Sequence, residues 1–417
     1  MWGRLSVCGG FAIRLARHTG MPPRQIKNRP QAASLPHIGV TLAASLLAIV
    51  LAGSLVYCVL VLLAVRSYLS APNPIENPSQ HIAPDISVLK PLDGSEIGLE
   101  ENLRSFFGQD CPKFELLFAV RSDQDAAISV VRKLEAEFPH VSSTLIITGE
   151  PPYPNAKVFS LDRMLRASRH NLLVMSDSDI RVSPDFLQRA AAEFADANIS
   201  LATCPYRAVG GPSIWSALEA EGMNTEFIGG LLVARMLEGV KFAVGPTIIV
   251  RKPVLAAIGG FDRLKDYLAE DFMMGKLAAE QGFGAILSRN IVEHRIGSQP
   301  LGPNFIHRMR WNRSTRRSRP AGYIGQLFTN PLPIAIVILV LQPAWWPVLI
   351  PTLLLRGAAA WATSELVLHA RLHWLRLVVQ DLLAFLFWIA GFFGNTISWR
   401  GRRYRLLRDG RFVLLKP

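Results

Sequence analysis

Asn171-Leu172-Leu173-Val174-Met175-Ser176-Asp177-Ser178-Asp179 decides the fold. A short apolar run bounded by polar residues reads as a strand buried on both faces. It ends on two carboxylates one residue apart. Ser183-Pro184-Asp185 follows, with Ser as cap, Pro at the first helical position and an acid in the first turn. A buried strand that feeds a helix through a carboxylate-bearing turn is a unit of an α/β sheet.

The same alternation extends upstream. Ile86-Ser87-Val88-Leu89-Lys90 reads as a strand and 96–107 as a helix. Phe114-Glu115-Leu116-Leu117-Phe118-Ala119-Val120 is a strong strand. Residues 125–138 place Ile128, Val131, Leu134 and Phe138 at helical spacing, and Leu145-Ile146-Ile147 is a further strand. Residues 84–300 thus predict one catalytic domain, an α/β fold with a doubly wound, mostly parallel sheet. Such sheets bind ligands at the carboxyl ends of their strands.

The polar residues at those ends are the candidate site. Asp125 closes Arg121-Ser122-Asp123-Gln124-Asp125 after the second strand. Asp177 and Asp179 form an Asp-x-Asp turn after the fourth. Mg²⁺ takes one or two carboxylates together with substrate phosphates, so this pair suits a metal shared with a diphosphate. Most Asp-x-Asp pairs are solvated turns; the position after an apolar strand favours the metal reading. Asn155-Ala156-Lys157 opens a helix, where Lys157 either contacts phosphate or base or is a solvated surface lysine. Glu270-Asp271 begins another helical pattern, and an acid there is ordinarily dipole compensation.

Half of the 417 residues are hydrophobic. The excess is concentrated. Residues 38–65 carry no charge and exceed the roughly 20 residues needed to span a bilayer. A run of that length so far from the N-terminus reads as a transmembrane helix, neither a signal peptide nor a core helix. Residues 321–355 are also uncharged, with five prolines and the pair Trp345-Trp346, and 382–399 form a third apolar run after Asp381. Residues 321–399 are therefore membrane segments, with two crossings near 332–355 and 377–399. Arg356, Glu365 and Arg371 then fall in the far-side connection. Residues 400–417 form a basic tail beside anionic headgroups.

The formal net charge is +13. Six arginines lie in His307-Arg308-Met309-Arg310-Trp311-Asn312-Arg313-Ser314-Thr315-Arg316-Arg317-Ser318-Arg319. At a membrane edge, with Phe305, Ile306, Met309 and Trp311 beside them, residues 301–320 read as a basic interfacial helix. It serves as a membrane anchor or holds a diphosphate and lipid headgroups together, and no nucleic-acid partner is expected. Residues 1–37 hold Arg4, Arg14, Arg17, Arg24, Lys27 and Arg29 without an acid. The positive-inside rule keeps that end in the cytoplasm and places the middle domain outside. The metal and diphosphate chemistry read for the middle domain requires the opposite, a catalytic domain on the cytoplasmic side. A true start at Met21 removes half of these charges. Cys8, Cys58, Cys111 and Cys204 follow no metal or disulfide spacing and read as free thiols.

Taken in order, the motifs resemble the processive-type inverting glycosyltransferases with their D, DxD, D, (Q/R)xxRW pattern. The closer likeness is to ceramide glucosyltransferases and bacterial hopanoid glycosyltransferases. It rests on SVLKPLDG at 87–94, the Asp125 region, NAKV at 155–158, DSDIRVSPD at 177–185, LAEDF at 268–272, HRMRW at 307–311 and RSRPAGY at 317–323. The resemblance implies a GT-A-like nucleotide-sugar domain with flanking transmembrane helices, moving a hexose from a UDP-sugar to a membrane lipid hydroxyl. It implies Asp125 on the nucleotide and Asp177 and Asp179 on the diphosphate through Mg²⁺ or Mn²⁺. It implies Asp271 as the general base on the acceptor hydroxyl and Arg310 and Trp311 as completing the donor and acceptor site, and Lys157 joins the donor-binding candidates. His307 stands where Gln or Arg is usual, and Ala126 where Pro is common. A processive polysaccharide synthase and a non-catalytic nucleotide-sugar-binding membrane protein are the alternatives. Few spans count against the first, and the full set of carboxylates against the second.

Overall fold

The structure is a computed structural model and describes residues 35–71 and 84–415. The basic N-terminal segment, up to residue 34, and the Met21 start lie outside the described residues. Thirteen strands run in chain order: β1 (Ile86–Pro91), β2 (Phe114–Val120), β3 (Ser142–Ile147), β4 (Leu172–Ser176), β5 (Ile180–Arg181), β6 (Ile199–Thr203), β7 (Tyr206–Val209), β8 (Thr247–Arg251), β9 (Gly284–Leu287), β10 (Val292–Arg295), β11 (Thr396–Trp399), β12 (Arg402–Leu406) and β13 (Phe412–Leu414).

The main sheet has the order β3-β2-β1-β4-β8-β6-β9. Pairing is parallel from β3 through β4 and between β6 and β9; β8 alone is reversed, antiparallel to β4 and β6. The expected mostly parallel α/β sheet is present. Alternate residues of each strand serve opposite faces. Val88, Leu116, Phe118 and Val174 pack with the helices Leu99–Phe107, Ala127–Glu137 and Phe186–Glu193. Leu89, Leu117, Leu173 and Met175 pack with Ala156–Ala167, Lys252–Ala257 and Glu270–Glu280. β1 and β4 are buried along their whole length, as a sheet covered on both faces requires. The helix after β4 starts at Phe186, later than the Ser183 cap predicts. Asp185 is the flanking residue there and makes no side-chain cap hydrogen bond; the Ser183 hydroxyl donates to Asp185 Oδ1 at 2.5 Å.

Among the described residues, two helices are long and apolar enough to cross a membrane, Gly39–Leu69 and Trp374–Gly391; a pair bent by 54°, Pro320–Phe328 and Pro331–Leu341, makes three if it counts as one span. The prolines divide the second apolar run, because a Pro removes a backbone donor and clashes with the preceding turn. A 3₁₀ segment at Pro343–Val348 separates Pro331–Leu341 from Leu349–Trp361. The third run also differs from its predicted 377–399 crossing. Its helix ends at Gly391, Gly394 turns the chain at φ +73°, and Thr396–Trp399 is already a strand. Residues 400–414 are correspondingly no free tail. They complete an antiparallel sheet around Ile397, Tyr404, Leu406 and Phe412.

Arg356 is not in a far-side connection. It lies inside Leu349–Trp361, only 4% exposed, with Nε and Nη2 at 2.8 and 2.7 Å from the two oxygens of Asp381 on Trp374–Gly391. Each charge makes the other's burial tolerable, which is why apolar helices carry both. Removing one partner strands the other. Arg356→Met is therefore expected to cost about 3–5 kcal/mol. Arg356→Met combined with Asp381→Leu should recover most of that loss in detergent unfolding curves; a double variant as unstable as the single one would refute the pairing account.

Candidate active site

The Asp-x-Asp turn is built where β4 ends. Asp177 N donates to Pro246 O at 3.1 Å, and Ile180 N closes the turn on Asp177 O at 3.3 Å. Beneath it lies Lys90 of β1, fully buried. Its ammonium donates to Asp177 O and to Ser176 Oγ, and sits 4.0 Å over the Phe106 ring. Burial pushes Lys90 down to about 7, against the opposing pull of Asp177, Asp179 and Glu96.

Lys157 is aimed by its helix cap. Asn155 Oδ1 accepts from Val158 N at 3.1 Å, while Asn155 Nδ2 donates to Tyr267 O at 2.8 Å. The cap thereby joins this helix to the loop before Glu270–Glu280. Lys157 Nζ lies 2.7 Å from Asp177 Oδ1 and 3.2 Å from Glu270 Oε1. Desolvation alone would lower its proton affinity; Asp177, Glu270 and Asp271 outweigh that and hold it well above the ordinary lysine range. Lys157 is thus no solvated surface residue.

Asp271 faces the same cleft, which encloses about 290 Å³ and is lined by Lys157, Gly245, Glu270 and Asp271. Phe272 N donates to Asp271 Oδ1 at 2.7 Å. A Cβ at position 245 would stand 2.9 Å from Asp271 Oδ2, so glycine there is what admits the carboxylate. Burial, then the adjacent Glu270, pushes the Asp271 carboxyl up to about 7; Lys157 and the Phe272 amide act in the other direction.

Asp179 turns away from Lys157 toward β10. Its Oδ2 lies 3.0 Å from His294 Nε2. Burial works to raise Asp179, but the His294 charge and hydrogen bond, with Lys90 and Lys157, hold it below the usual carboxylate range. Asp179 Oδ1 is buried without a hydrogen-bond partner. A bare carboxylate oxygen beside Asp177 fits a divalent cation shared with substrate phosphates. Among the described residues no group of three or more His, Cys, Asp or Glu is arranged to hold a metal by itself. The Tyr206 hydroxyl is likewise buried and unpartnered, and its ring meets His294 edge-on at 5.3 Å.

Asp125 stands apart. Its Oδ1 and Oδ2 accept from Gly94 N at 3.0 and 3.2 Å, and Oδ1 from Ala127 N at 2.9 Å. It braces the loops after β1 and β2, with no hydrogen bond or ion pair to Asp177, Asp179 or Asp271.

The basic helix spans Leu301–Ser318. Several of its arginines are engaged away from any ligand. Arg313 donates to Phe393 O and Thr396 O at 3.1 and 2.6 Å, and Arg316 to Phe392 O and Gly394 O. Arg319 pairs with Glu238 at 3.0 Å. Arg310 makes no hydrogen bond or ion pair among the described residues. Burial, then the nearby Arg400, lowers it to about 10. Trp311 packs on Phe227 and His307, with centroids 6.2 and 5.4 Å away. His307 Nδ1 lies 2.7 Å from Glu219 Oε1, and Asn304 Nδ2 donates to Glu219 Oε2 at 2.6 Å. His307 is therefore tied to a buried carboxylate, a partner a protonated or neutral imidazole both suit.

The predicted residues thus divide into groups. Lys157, Glu270 and Asp271 line one cleft, and Asp177 joins them through its ion pair with Lys157. Asp179 adjoins it through the turn, Arg310 and Trp311 lie on the basic helix, and Asp125 braces a neighbouring loop. Sequence reasoning missed Lys90, His294 and Tyr206. A lysine in an otherwise apolar strand was the available signal for Lys90.

Three comparisons bear on this arrangement. The family model described as Glycosyl transferase family 21 matches residues 46–412. Ceramide glucosyltransferase 1 of Caenorhabditis elegans is 32% identical over 230 residues, covering 55% of this chain and 49% of that protein. Ceramide glucosyltransferase 3 of the same organism is 28% identical over 230 residues, covering 55% and 50%. The chain spans about half the length of the curated relatives it matches. Among solved structures, the mannosyltransferase PcManGT from Pyrobaculum calidifontis, in complex with GDP-Man and Mn²⁺, superposes with a TM-score of 0.51 at 19% identity, over 85% of this chain and 96% of that one. That likeness shows a shared GT-A-type fold. The resemblance to ceramide glucosyltransferases read from the motifs is borne out, and with the family match running from the first membrane helix to the last strand, the chain belongs to glycosyl transferase family 21.

Proposed function

We propose that the chain is an inverting glycosyltransferase that moves a hexose from a UDP-sugar to the hydroxyl of a membrane lipid, ceramide or a hopanoid. The supporting observation is Asp271, a buried carboxyl with proton affinity near neutrality, in one cleft with Glu270 and with Lys157, which pairs with Asp177. The flanking helices, two of them long and apolar enough to cross a membrane, support a bilayer beside that cleft. The catalytic domain faces the cytoplasm, where nucleotide sugars are made.

In this reading the lipid hydroxyl enters beside Asp271, which takes its proton as the oxygen attacks the anomeric carbon. The bond to the nucleoside diphosphate breaks on the opposite face, so an α-linked donor gives a β-glycoside. Asp177 and Asp179 would hold Mg²⁺ or Mn²⁺, which supplies positive charge to the departing diphosphate. Lys157 keeps Asp177 in place and adds its own charge on that side. Arg310, without an acidic partner, is available to the phosphates, and Trp311 fixes its helix against Phe227. Asp125 orders the loop over which the nucleoside lies. The membrane helices hold the acceptor at the cleft and remove much of the entropy cost of encounter.

Liposome-reconstituted protein given radiolabelled UDP-hexoses with ceramide or a hopanoid should form a lipid bearing one sugar; a long polymer, or no product with any pair, would sink the proposal. Asp271→Asn should lower turnover by about 10²–10⁴-fold while UDP binding persists, the range for a lost general base. Near-normal turnover would remove Asp271 from that role.

Asp271 accepts a proton only as the carboxylate. Its raised value means that this form is depleted as pH falls through about 7. We expect kcat/KM to fall on the acid side with a midpoint near 7; a profile flat down to pH 5 would contradict the assignment. Gly245→Ala should displace Asp271 and cost up to about 100-fold in turnover, the scale of a misplaced catalytic group. Unchanged thermal unfolding would show that the loss is local, and undiminished turnover would count against the close approach.

A further inference from the structure

The C-terminal sheet lies across three loops of the catalytic domain. Arg400 Nε is 3.1 Å from Asp93 Oδ2, in the loop after β1. Arg402 reaches Glu150, after β3, at 3.2 Å. Phe412 N donates to Asp266 O at 2.9 Å, and Arg411 bridges Tyr267, just ahead of Asp271. The loops after β1 and β3 leave the strand ends at which an α/β sheet takes its ligand, and the third loop leads into the helix that carries Asp271.

At the tip of this sheet, Trp399 stands between two guanidinium groups. Arg310 Cζ lies 5.8 Å from its ring centroid and Arg400 Cζ 5.5 Å. Arg310 has no acidic partner among the described residues, and Arg400 shares only the single carboxylate of Asp93. The Arg400 side chain lines a cleft of about 240 Å³ together with Asp93, Arg121, Thr148 and Gly149. Its backbone is left-handed, at φ +49°. With Gly401 at φ +74° it forms the two-residue turn that joins β11 to β12, a hairpin geometry that takes positive φ at both positions. Two guanidinium forks against one carboxylate leave positive charge in excess. The complement is an anion with several oxygens, which guanidinium binds through paired hydrogen bonds.

We propose that Arg400 and Arg310 form a two-armed clamp on the diphosphate of the nucleotide-sugar donor, with Trp399 as the spacer between them. The clamp rests on the donor reading given above and extends it to the C-terminal sheet. Arg400 exchanges Asp93 for a phosphate oxygen when the donor enters. Trp399 keeps the two cations apart by offering each a ring face, which is attractive to a cation. The C-terminal sheet is therefore part of the donor site, and its hold on the loops after β1 and β3 sets the distance between the arms.

The test titrates UDP and uridine calorimetrically into the full chain in neutral-lipid nanodiscs with Mn²⁺ present. Arg400→Ala should weaken UDP binding about tenfold, the scale of one charge-assisted hydrogen bond. Uridine, which lacks phosphate, should bind the variant and the parent protein equally. Arg400→Lys keeps the cation without the planar fork and should recover part of the UDP affinity. UDP affinity unchanged in Arg400→Ala would overturn the clamp, as would UDP and uridine weakened in equal proportion, which marks a loosened fold. A parent protein that binds no UDP would overturn the donor reading itself and the clamp with it.

Discussion

A single ammonium group organises the cleft. Lys157 is the cation in direct contact with Asp177 from the end of β4 and Glu270 from a helix about a hundred residues later in sequence. Asp271 is the next residue on that helix. Without Lys157 these carboxylates would face one another in a desolvated space, and like charges there repel strongly. With it, the strand end and the helix start are drawn to one point. The same ammonium cannot neutralise three acids fully. Burial, and then the charge of Glu270, raises the proton affinity of Asp271, and Lys157 restrains that rise.

Much of the sheet was legible because it obeys local rules. The strands at 86–91, 114–120 and 172–176 are apolar runs ending on polar turns, and the structure keeps them within a residue or two of their predicted limits. The Asp-x-Asp turn and the Asn155 cap were visible for the same reason. What escaped depends on distant partners. Lys90 looks like an ordinary strand residue until Asp177 and Phe106 are brought onto it. His294 is a polar residue in a four-residue strand, and only the pairing of β10 with β5 presents it to Asp179. Ser183 had the right residue type for a cap, but the helix starts at Phe186, with Asp185 rather than Ser183 flanking it.

The membrane part was read correctly in composition and incorrectly in detail. Hydropathy locates apolar runs; it does not say where a helix breaks or which charges pair. Arg356 and Asp381 sit 25 residues apart in sequence and form one buried contact. The residues after Trp399 were basic enough to suggest a headgroup-binding tail. Four aromatic and aliphatic side chains, Ile397, Tyr404, Leu406 and Phe412, make them a folded sheet instead. Arginines on a surface helix likewise need not meet lipid: Arg313 and Arg316 satisfy backbone carbonyls left over where a helix stops.

Those last contacts join two parts of the molecule that answer to different surroundings. The carbonyl end of Trp374–Gly391, a helix long and apolar enough to cross a membrane, is gripped by the same helix that carries Arg310 and Trp311. A change of inclination in the one must drag the other. The seating of an apolar helix thereby bears on where Arg310 stands, through the guanidinium groups of Arg313 and Arg316.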